Sequence, residues 1–349
     1  MLININFPGQ LQWRSHEYAG AKDAFGEVID GATMSNPRVA KADAFRWFPP
    51  SEEIGTIGYV WMQEQRSLAP NGKYHINDAR HYLGMHDKLI AFETWHNAGL
   101  PIPQHFQFAT ADEFHSRWDG TPNYYPILLR LNNSVAGYDS WLVRSRAELQ
   151  PALDALVACH GRHVAAGRGI NTRMMCVEFI DTRRPDCPLN VSYRISVAGG
   201  KVVTGYARVS DPQDWVAVTN KFHAGIADAW LAANRRCHQI MLHQANLLVK
   251  AVAATGMNHQ GLDLIEDGRT GKLYFLETQT TYDAGFINAG PYQPPYYNPY
   301  NRELVKFIQE NSALLQKEIP LYYNAWLDKR EHFRQCYANL AAQMKEGAR

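Results

Sequence analysis

The stretch Gly261–Thr281, GLDLIEDGRTGKLYFLETQTT, decides the fold. It contains two short runs of strand-forming residues, GLDLI and KLYFLET, separated by Asp267–Gly271, which has the composition of a tight turn. If Asp263 lies opposite Glu277, the pairing is centred on Thr270, inside that turn. The sequence therefore predicts a β-hairpin in which these two acids face each other.

The hairpin is also a candidate metal site. Because side chains alternate between the two faces of a strand, Asp263, Glu277 and Gln279 are predicted to share one face. Two facing carboxylates repel each other unless a cation lies between them. Hard oxygen ligands of this kind suit Mg²⁺, which is normally shared with substrate phosphates. The alternative is a hairpin whose acids merely face water, and spacing alone does not decide between the two.

Composition limits the class of protein. The chain has 349 residues, enough for two or three lobes, and its 46% hydrophobic and 20% charged content is ordinary for a well-packed protein. The net charge of +1 argues against a nucleic-acid partner, which usually demands a basic excess.

Cysteine usage and hydropathy predict a cytoplasmic protein. The five cysteines are scattered without any Cys-x-x-Cys pair, which is typical of a reducing compartment and disfavours a disulfide framework or a structural zinc site. The first residues, MLININFPGQ, lack the basic and apolar regions of a signal peptide. No run of about 18 apolar residues is present, so we predict no membrane contact.

The segment before the hairpin reads as an α+β lobe preceded by a less regular region. Within residues 1–86, Ile57–Trp61 is predicted to be a short strand. A helix beginning near Asp87 ends at Gly99, and a Thr-x-x-Glu capping box at Thr110 opens another. An apolar strand, Tyr125–Leu131, carries one cation and leads into a polar loop at 132–140 that could cover a phosphate. A second capping box follows at 145–148, where a further helix begins.

Three strands are predicted within 173–210, and the last two are joined by a hairpin turn at Gly199-Gly200. That turn brings Arg194 and Arg208 near each other. Residues 224–255 are predicted to form one long helix, and 302–318 and 321–346 two more, which serve as a brace or as a homo-oligomer contact.

With these motifs in order, residues 87–288 resemble the ATP-grasp superfamily. Its phosphate-binding lysine is matched by Lys88, before Gly99-Leu-Pro-Ile-Pro103, and its second phosphate-binding strand by Tyr125-Pro-Ile-Leu-Leu-Arg130. Val177-Glu178-Phe179-Ile180 resembles the hinge strand that holds the adenine, and Asp263 with Glu277-Thr278-Gln279 resembles the terminal metal motif. The chain most resembles the branch of carboxylate–amine ligases that includes ribosomal-protein glutamate ligases.

The sequence departs from the family pattern at three points. Arg130 replaces a lysine and so exchanges a compact ammonium for a broad fork. The loop at 132–140 contains a single glycine, Gly137, so its backbone is less free to wrap phosphates. Gln279 replaces an asparagine and adds a methylene to the metal-binding amide.

The resemblance implies an α+β fold in which ATP is held between two α+β lobes, with an N-terminal α/β domain and added C-terminal helices. The implied domains are 1–86 (N-terminal), 87–172 (small lobe), 173–300 (large lobe with the metal site) and 301–349 (helical extension). The residues implied to bind the nucleotide are Lys88, Arg130, Ser134, Gly137, Val177, Glu178, Phe179 and Ile180. The residues implied to bind one or two Mg²⁺ ions, for which Mn²⁺ could substitute, are Asp263, Glu277 and Gln279.

The resemblance also implies a reaction. A substrate carboxylate is activated as an acylphosphate and joined to an amine, and the partners are small molecules such as an amino acid or a peptide. Arg194 and Arg208 are the candidates for holding the carboxylate, because guanidinium binds planar oxyanions through two hydrogen bonds. The alternatives are a kinase-like phosphotransferase with the same fold and a nucleotide-binding regulatory protein that has lost catalysis.

Overall fold

The computed structural model describes residues 1–6, 15–30, 35–48, 56–81, 87–118, 125–134, 139–167, 172–215, 222–279 and 299–347. Within these ranges the strands form three four-stranded sheets. The first sheet is parallel, and the other two are antiparallel. Helices cover these sheets, so the predicted α+β class is confirmed.

The N-terminal sheet has the order β2-β1-β3-β4 and is parallel throughout, as predicted for an α/β domain. Its strands are β1 (Leu2–Asn6), β2 (Val28–Ile29), β3 (Ala44–Phe48) and β4 (Tyr74–Ile76). Parallel neighbours need crossover connections, and the helices α1 (Ser15–Phe25) and α2 (Thr56–Leu68) lie in two of them. The strand predicted at Ile57–Trp61 is wrong. Those residues belong to α2, because the run continues into the helix-forming residues Met62–Arg66.

The second sheet, which we call the small-lobe sheet, has the order β5-β8-β6-β7. Its strands are β5 (His105–Phe108), β6 (Ile127–Leu131), β7 (Ser140–Val143) and β8 (Met174–Glu178). Three helices belong to this part of the chain: α3 (Lys88–Asn97), α4 (Ala111–Arg117) and α5 (Arg146–Ala165). Thr110 caps α4 as predicted, since its hydroxyl accepts a hydrogen bond from the Glu113 backbone N–H at 3.1 Å, but the Glu113 carboxylate accepts from the Ala109 N–H, at 2.7 Å, instead of from Thr110.

The third sheet, the large-lobe sheet, has the order β10-β9-β11-β12. Its strands are β9 (Val191–Ala198), β10 (Lys201–Val209), β11 (His259–Glu266) and β12 (Leu273–Gln279). The predicted turn at Gly199-Gly200 is confirmed: both residues have positive φ, and Ala198 pairs with Lys201. The single helix predicted for 224–255 is two helices, α6 (Ala227–His243) and α7 (Ala245–Ala254), because the backbone of Gln244 leaves the helical conformation.

The boundary predicted between residues 172 and 173 cuts across the observed packing. β8 lies beyond that boundary, yet it pairs with β5 and β6 of the small-lobe sheet. Conversely, α3 lies before it but buries Leu89, Phe92 and Trp95 in the core of the large lobe, where the Trp95 indole donates to the Ala251 carbonyl at 2.9 Å. Each lobe therefore contains an element from the other side of residue 172, and no single cut in the sequence separates the two lobes.

Four C-terminal helices complete the described chain: α8 (Pro299–Glu310), α9 (Ser312–Glu318), α10 (Pro320–Leu327) and α11 (Lys329–Gly347). They replace the two predicted helices. α11 begins where it does because Asp328 accepts a hydrogen bond from the Glu331 backbone N–H at 2.9 Å.

The last helix braces the N-terminal domain. α11 packs against α1 and against the hairpin of β9 and β10. The Tyr337 hydroxyl donates to Glu17 at 3.0 Å, and Glu17 is also paired with Arg46, all of them buried. The interpretation of the C-terminal helices as a brace is thus supported within the chain itself. None of the described helices combines the length and apolar composition that crossing a bilayer requires.

Candidate active site

The hairpin has the predicted register. Asp263 pairs with Glu277 and Gly261 pairs with Gln279 across β11 and β12. The Gln279 amide donates to the Glu277 carboxylate at 3.2 Å. Asp263 and Glu277 line a cavity between the small-lobe and large-lobe sheets. Two of the three residues predicted to bind metal therefore line this cavity, and the third, Gln279, is hydrogen-bonded to one of them.

Asp263 is held by both predicted arginines. Its carboxylate accepts two hydrogen bonds from Arg194, at 2.6 and 2.7 Å, and lies 3.0 Å from a guanidinium nitrogen of Arg208. The geometry follows from the sheet, because Arg194 is the direct partner of Asp263 on β9, and Arg208 is the partner of Ser192 on β10. Burial alone would raise the pKa of Asp263, but the two arginines outweigh burial and hold it far below the ordinary value. Arg194 and Arg208 thus lie near each other as predicted, but the carboxylate that they bind in this structure is that of Asp263.

Lys88 connects the two lobes. It is the first residue of α3, where the Asp87 side chain caps the helix by accepting from the Leu89 N–H at 2.9 Å. Its ammonium lies 2.6 Å from the Glu277 carboxylate and donates to the Ser134 carbonyl at 2.7 Å. Lys88 therefore joins a large-lobe acid to the start of the loop that follows β6.

Arg130 meets the same loop from the small-lobe sheet. Its guanidinium donates to the Ser134 hydroxyl at 2.8 Å and to the Ser134 carbonyl at 3.3 Å. Burial lowers the pKa of Arg130, and the nearby Glu277 carboxylate partly offsets that effect. The predicted phosphate-binding residues Lys88, Arg130 and Ser134 therefore lie together, whereas Gly137 lies outside the described residues.

The predicted hinge segment 177–180 forms one wall of the cavity. Val177 pairs on both sides, with β5 and with β6. The backbone N–H of Glu178 donates to the Gln104 carbonyl at 2.8 Å, and that of Phe179 to the Pro126 carbonyl at 3.4 Å. These N–H groups are committed to the protein. The segment therefore offers its side chains, together with backbone groups beyond Phe179, to a ligand.

Sequence reasoning missed several residues that complete the wall. They are mostly apolar: Phe92, Leu128, Met175, Trp215, Ile265 and Leu276. Strand alternation could have found Leu128, which is two residues before Arg130 on β6. Trp215, whose ring meets that of Phe179 edge-on at 6.4 Å between centroids, follows a turn and carries no periodic signal.

The charges of the site suit a polyanion. Its cationic side chains are Lys88, Arg130, Arg194 and Arg208. Among the described residues, the cations Lys88, Arg130 and Arg208 line the cavity together with three carboxylates, and Arg194 lies behind Asp263 as a further cation. A phosphate chain entering the cavity would meet these cations in an environment of low dielectric constant, where charge pairing is stronger than in water.

Comparison with known proteins gives only structural matches. No protein-family model matches the sequence, and no curated protein matches it significantly. The structure of the ATP-grasp ligase PsnB complexed with minimal precursor has a TM-score of 0.51 at 11% identity, covering 82% of this chain and 93% of that chain. The ADP complex of PurK, an N5-carboxyaminoimidazole ribonucleotide synthetase, has a TM-score of 0.50 at 11% identity, covering 87% of this chain and 75% of that chain.

Proposed function

This chain has the ATP-grasp fold, and from that premise we propose that it is an ATP-dependent carboxylate–amine ligase. The observation that carries the proposal is the meeting of Lys88, Arg130 and the Asp263–Glu277 pair at one cavity between two sheets. These residues come from four separate elements. Charged side chains that served only to keep the surface soluble would not need to meet at one cavity.

The nucleotide would lie along this cavity. The cations Lys88 and Arg130 would neutralise its α- and β-phosphates, after Lys88 exchanges its contact with Glu277 for a phosphate oxygen. The adenine would lie against the wall formed by residues 177–180 and Trp215, where apolar and aromatic side chains offer a flat ring a place to pack.

The donor set fits Mg²⁺. Asp263, Glu277 and Gln279 supply two carboxylates and an amide oxygen from adjacent strands, and hard oxygen donors are what this ion prefers. The observed ion pairs of both carboxylates favour binding of the metal together with phosphate, because the added positive charge is then balanced. When bound, the ion would neutralise charge on the β- and γ-phosphates and align them for transfer.

The two arginines have different positions, and we assign them different tasks. Arg208 lines the cavity and can reach a substrate carboxylate. Arg194 donates two hydrogen bonds to Asp263 and would orient that carboxylate. A carboxylate oxygen of the substrate attacks the γ-phosphorus, and the bond to the bridging oxygen breaks to release ADP. The amine then attacks the acyl carbon, loses a proton and expels phosphate, so an amide remains.

Hydroxylamine trapping tests this reaction. Amino acids and short peptides are screened for ATP-dependent phosphate release, and active mixtures are then supplemented with hydroxylamine. A hydroxamate that depends on the acid, ATP and Mg²⁺ is expected, because hydroxylamine intercepts an acylphosphate. A phosphorylated hydroxyl without hydroxamate would mean a kinase, and ATP binding without turnover would mean a regulatory protein. Either outcome would overturn the ligase proposal.

A further inference from the structure

A second cluster of ligating side chains lies apart from the cavity, at Asp139, Cys159 and His163. The Cys159 thiol donates to one Asp139 oxygen at 3.1 Å, and His163 Nε2 lies 3.0 Å from the other. All three ligand atoms lie within 4.8 Å of one another. The proposed ATP-dependent reaction gives these three residues no task.

Local structure explains why they meet. Cys159 and His163 are four residues apart on α5, so their side chains share one face of the helix. Asp139 has φ 52°, a left-handed conformation that aspartate tolerates better than most residues, and directly precedes β7. Leu129 and Leu131 of β6 point into the core that α5 covers, whereas Arg130 points to the cavity. The cluster therefore lies on the side of the small-lobe sheet that α5 covers.

We propose that Asp139, Cys159 and His163 form a binding site for a transition-metal ion of the zinc class. Zinc accepts thiolate, imidazole and carboxylate at about 2.0–2.3 Å, which places donor atoms roughly 3–4 Å apart in a tetrahedron. Asp139 lies at that spacing from both partners, at 3.1 Å from the Cys159 sulfur and 3.0 Å from His163 Nε2, and all three donor atoms lie within 4.8 Å of one another, so side-chain rotation is enough to close them around one ion. The soft thiolate selects zinc or cobalt over Mg²⁺ and Ca²⁺.

The surroundings of the cluster allow an ion to enter. The Cys159 side chain is buried, while those of His163 and Asp139 are 24% and 31% exposed, so water can supply a fourth ligand on the open side. Burial and the Asp139 carboxylate raise the pKa of Cys159 to about 11, whereas nearby Arg162 favours the thiolate. Metal binding replaces the thiol proton, which is released to solvent, and exchanges two hydrogen bonds for three metal–ligand bonds.

The test uses the full-length protein after treatment with a chelator. Co²⁺ is titrated in first, because a bound thiolate gives a charge-transfer band in the near ultraviolet and tetrahedral geometry gives strong visible bands. Zn²⁺ affinity is then measured by competition with a chromophoric chelator. The variants are Cys159→Ser and His163→Gln, and the matched control is Cys176→Ser, which alters another buried cysteine in the same lobe.

We expect one equivalent of metal per chain, with the thiolate band present in wild type and in Cys176→Ser but absent in Cys159→Ser. Loss of a neighbouring residue that only orients a ligand costs roughly 10–100-fold in affinity, so loss of a ligand in either variant should cost at least about 100-fold. One equivalent of metal should still bind to Glu277→Gln, which would show that the ion is not bound at the hairpin of β11 and β12. Undiminished affinity in both Cys159→Ser and His163→Gln, or no thiolate band in wild type, would mean that the cluster is only a hydrogen-bonded group.

The metal-binding measurements can be interpreted even if one variant fails to fold or the proposed ligase reaction is wrong. His163 is partly exposed, so His163→Gln remains informative if Cys159→Ser fails to fold. Zn²⁺ should also raise the unfolding temperature of wild type but not of His163→Gln. No ATP is present in these measurements, so failure of the metal site leaves the ligase proposal untouched, and failure of the ligase proposal leaves the metal site untouched.

Discussion

Replacing Arg194 with methionine tests whether Asp263 depends on its arginine. The pair is largely out of water, with side-chain exposures of 16% for Arg194 and 4% for Asp263. Removing one partner of a buried ion pair costs about 3–5 kcal/mol, because it leaves an uncompensated charge. Arg208 stays 3.0 Å from Asp263, so we expect a loss near the lower end, about 3 kcal/mol. If the chain unfolds as one unit, an unfolding entropy of about 2.1 cal/mol/K per residue converts this loss to about 4 °C.

The assay is a double-mutant cycle followed by thermal and urea unfolding, read by circular dichroism. In the Asp263→Asn background the negative charge that Arg194 compensates is gone, so Arg194→Met should cost about 1 kcal/mol or less. The coupling free energy between the two positions is then about 2 kcal/mol. Arg183→Met is the control, because Arg183 and Asp181 form a pair that is more than half exposed and should cost under about 1 kcal/mol.

Either of two results would show that Asp263 does not depend on the charge of Arg194. One is an Arg194→Met variant whose free energy of unfolding lies within about 0.5 kcal/mol of wild type, the scatter of independent surface changes. The other is an equal loss in the Asp263 and Asn backgrounds, which would mean that the arginine acts by packing and not by charge.

Three further predictions concern the same hairpin and its neighbours. The pKa of Asp263 is lower in the folded protein than its ordinary value of 3.8, so ionised Asp263 stabilises the fold above about pH 4, and this stabilisation is lost progressively as the pH falls below that value. The free energy of unfolding, measured with urea at several pH values, should therefore drop more steeply below about pH 4 in wild type than in Asp263→Asn. Glu277→Gln should abolish Mg²⁺-dependent phosphate release in a colorimetric assay and cost about 3 kcal/mol of stability, because the buried Lys88 loses its carboxylate partner while keeping its hydrogen bond to a carbonyl; retained release would mean that the metal lies elsewhere. Gly199→Ala should be less stable than Gly200→Ala by about 1–3 kcal/mol in thermal unfolding, since both have positive φ but only a Cβ at Gly199 would meet the α11 backbone, at 2.3 Å; equal losses would contradict this close approach.

The parts of the site that follow from local rules could be predicted from the sequence. Turn residues between two alternating runs set the register that pairs Asp263 with Glu277. The turn at Gly199-Gly200 likewise brings Arg194 and Arg208 to one carboxylate. In both cases the partners are close along the chain or are joined by a short turn, so few arrangements compete.

The features that depend on distant partners could not be predicted. β8 looks like the first strand of the large-lobe sheet along the chain, but it pairs with β5 and β6, and no local residue encodes that choice. Likewise, Arg194 looks like a free cation for a substrate, because its spacing does not reveal that Asp263 is its direct neighbour on the adjacent strand. Trp215 lines the cavity through its ring contact with Phe179, a residue 36 positions earlier in the chain, and no local pattern encodes that contact.

The contact between Tyr337 and Glu17 has a consequence for how this chain is made. Its partners are 320 positions apart, and Glu17 with Arg46 is buried beneath the final long helix. During synthesis on the ribosome Glu17 and Arg46 emerge long before Tyr337, so this buried polar group stays uncovered until the segment that forms α11 has been translated. The nascent chain must therefore wait in an incompletely packed state, in which chaperone binding and premature association compete with completion of the domain.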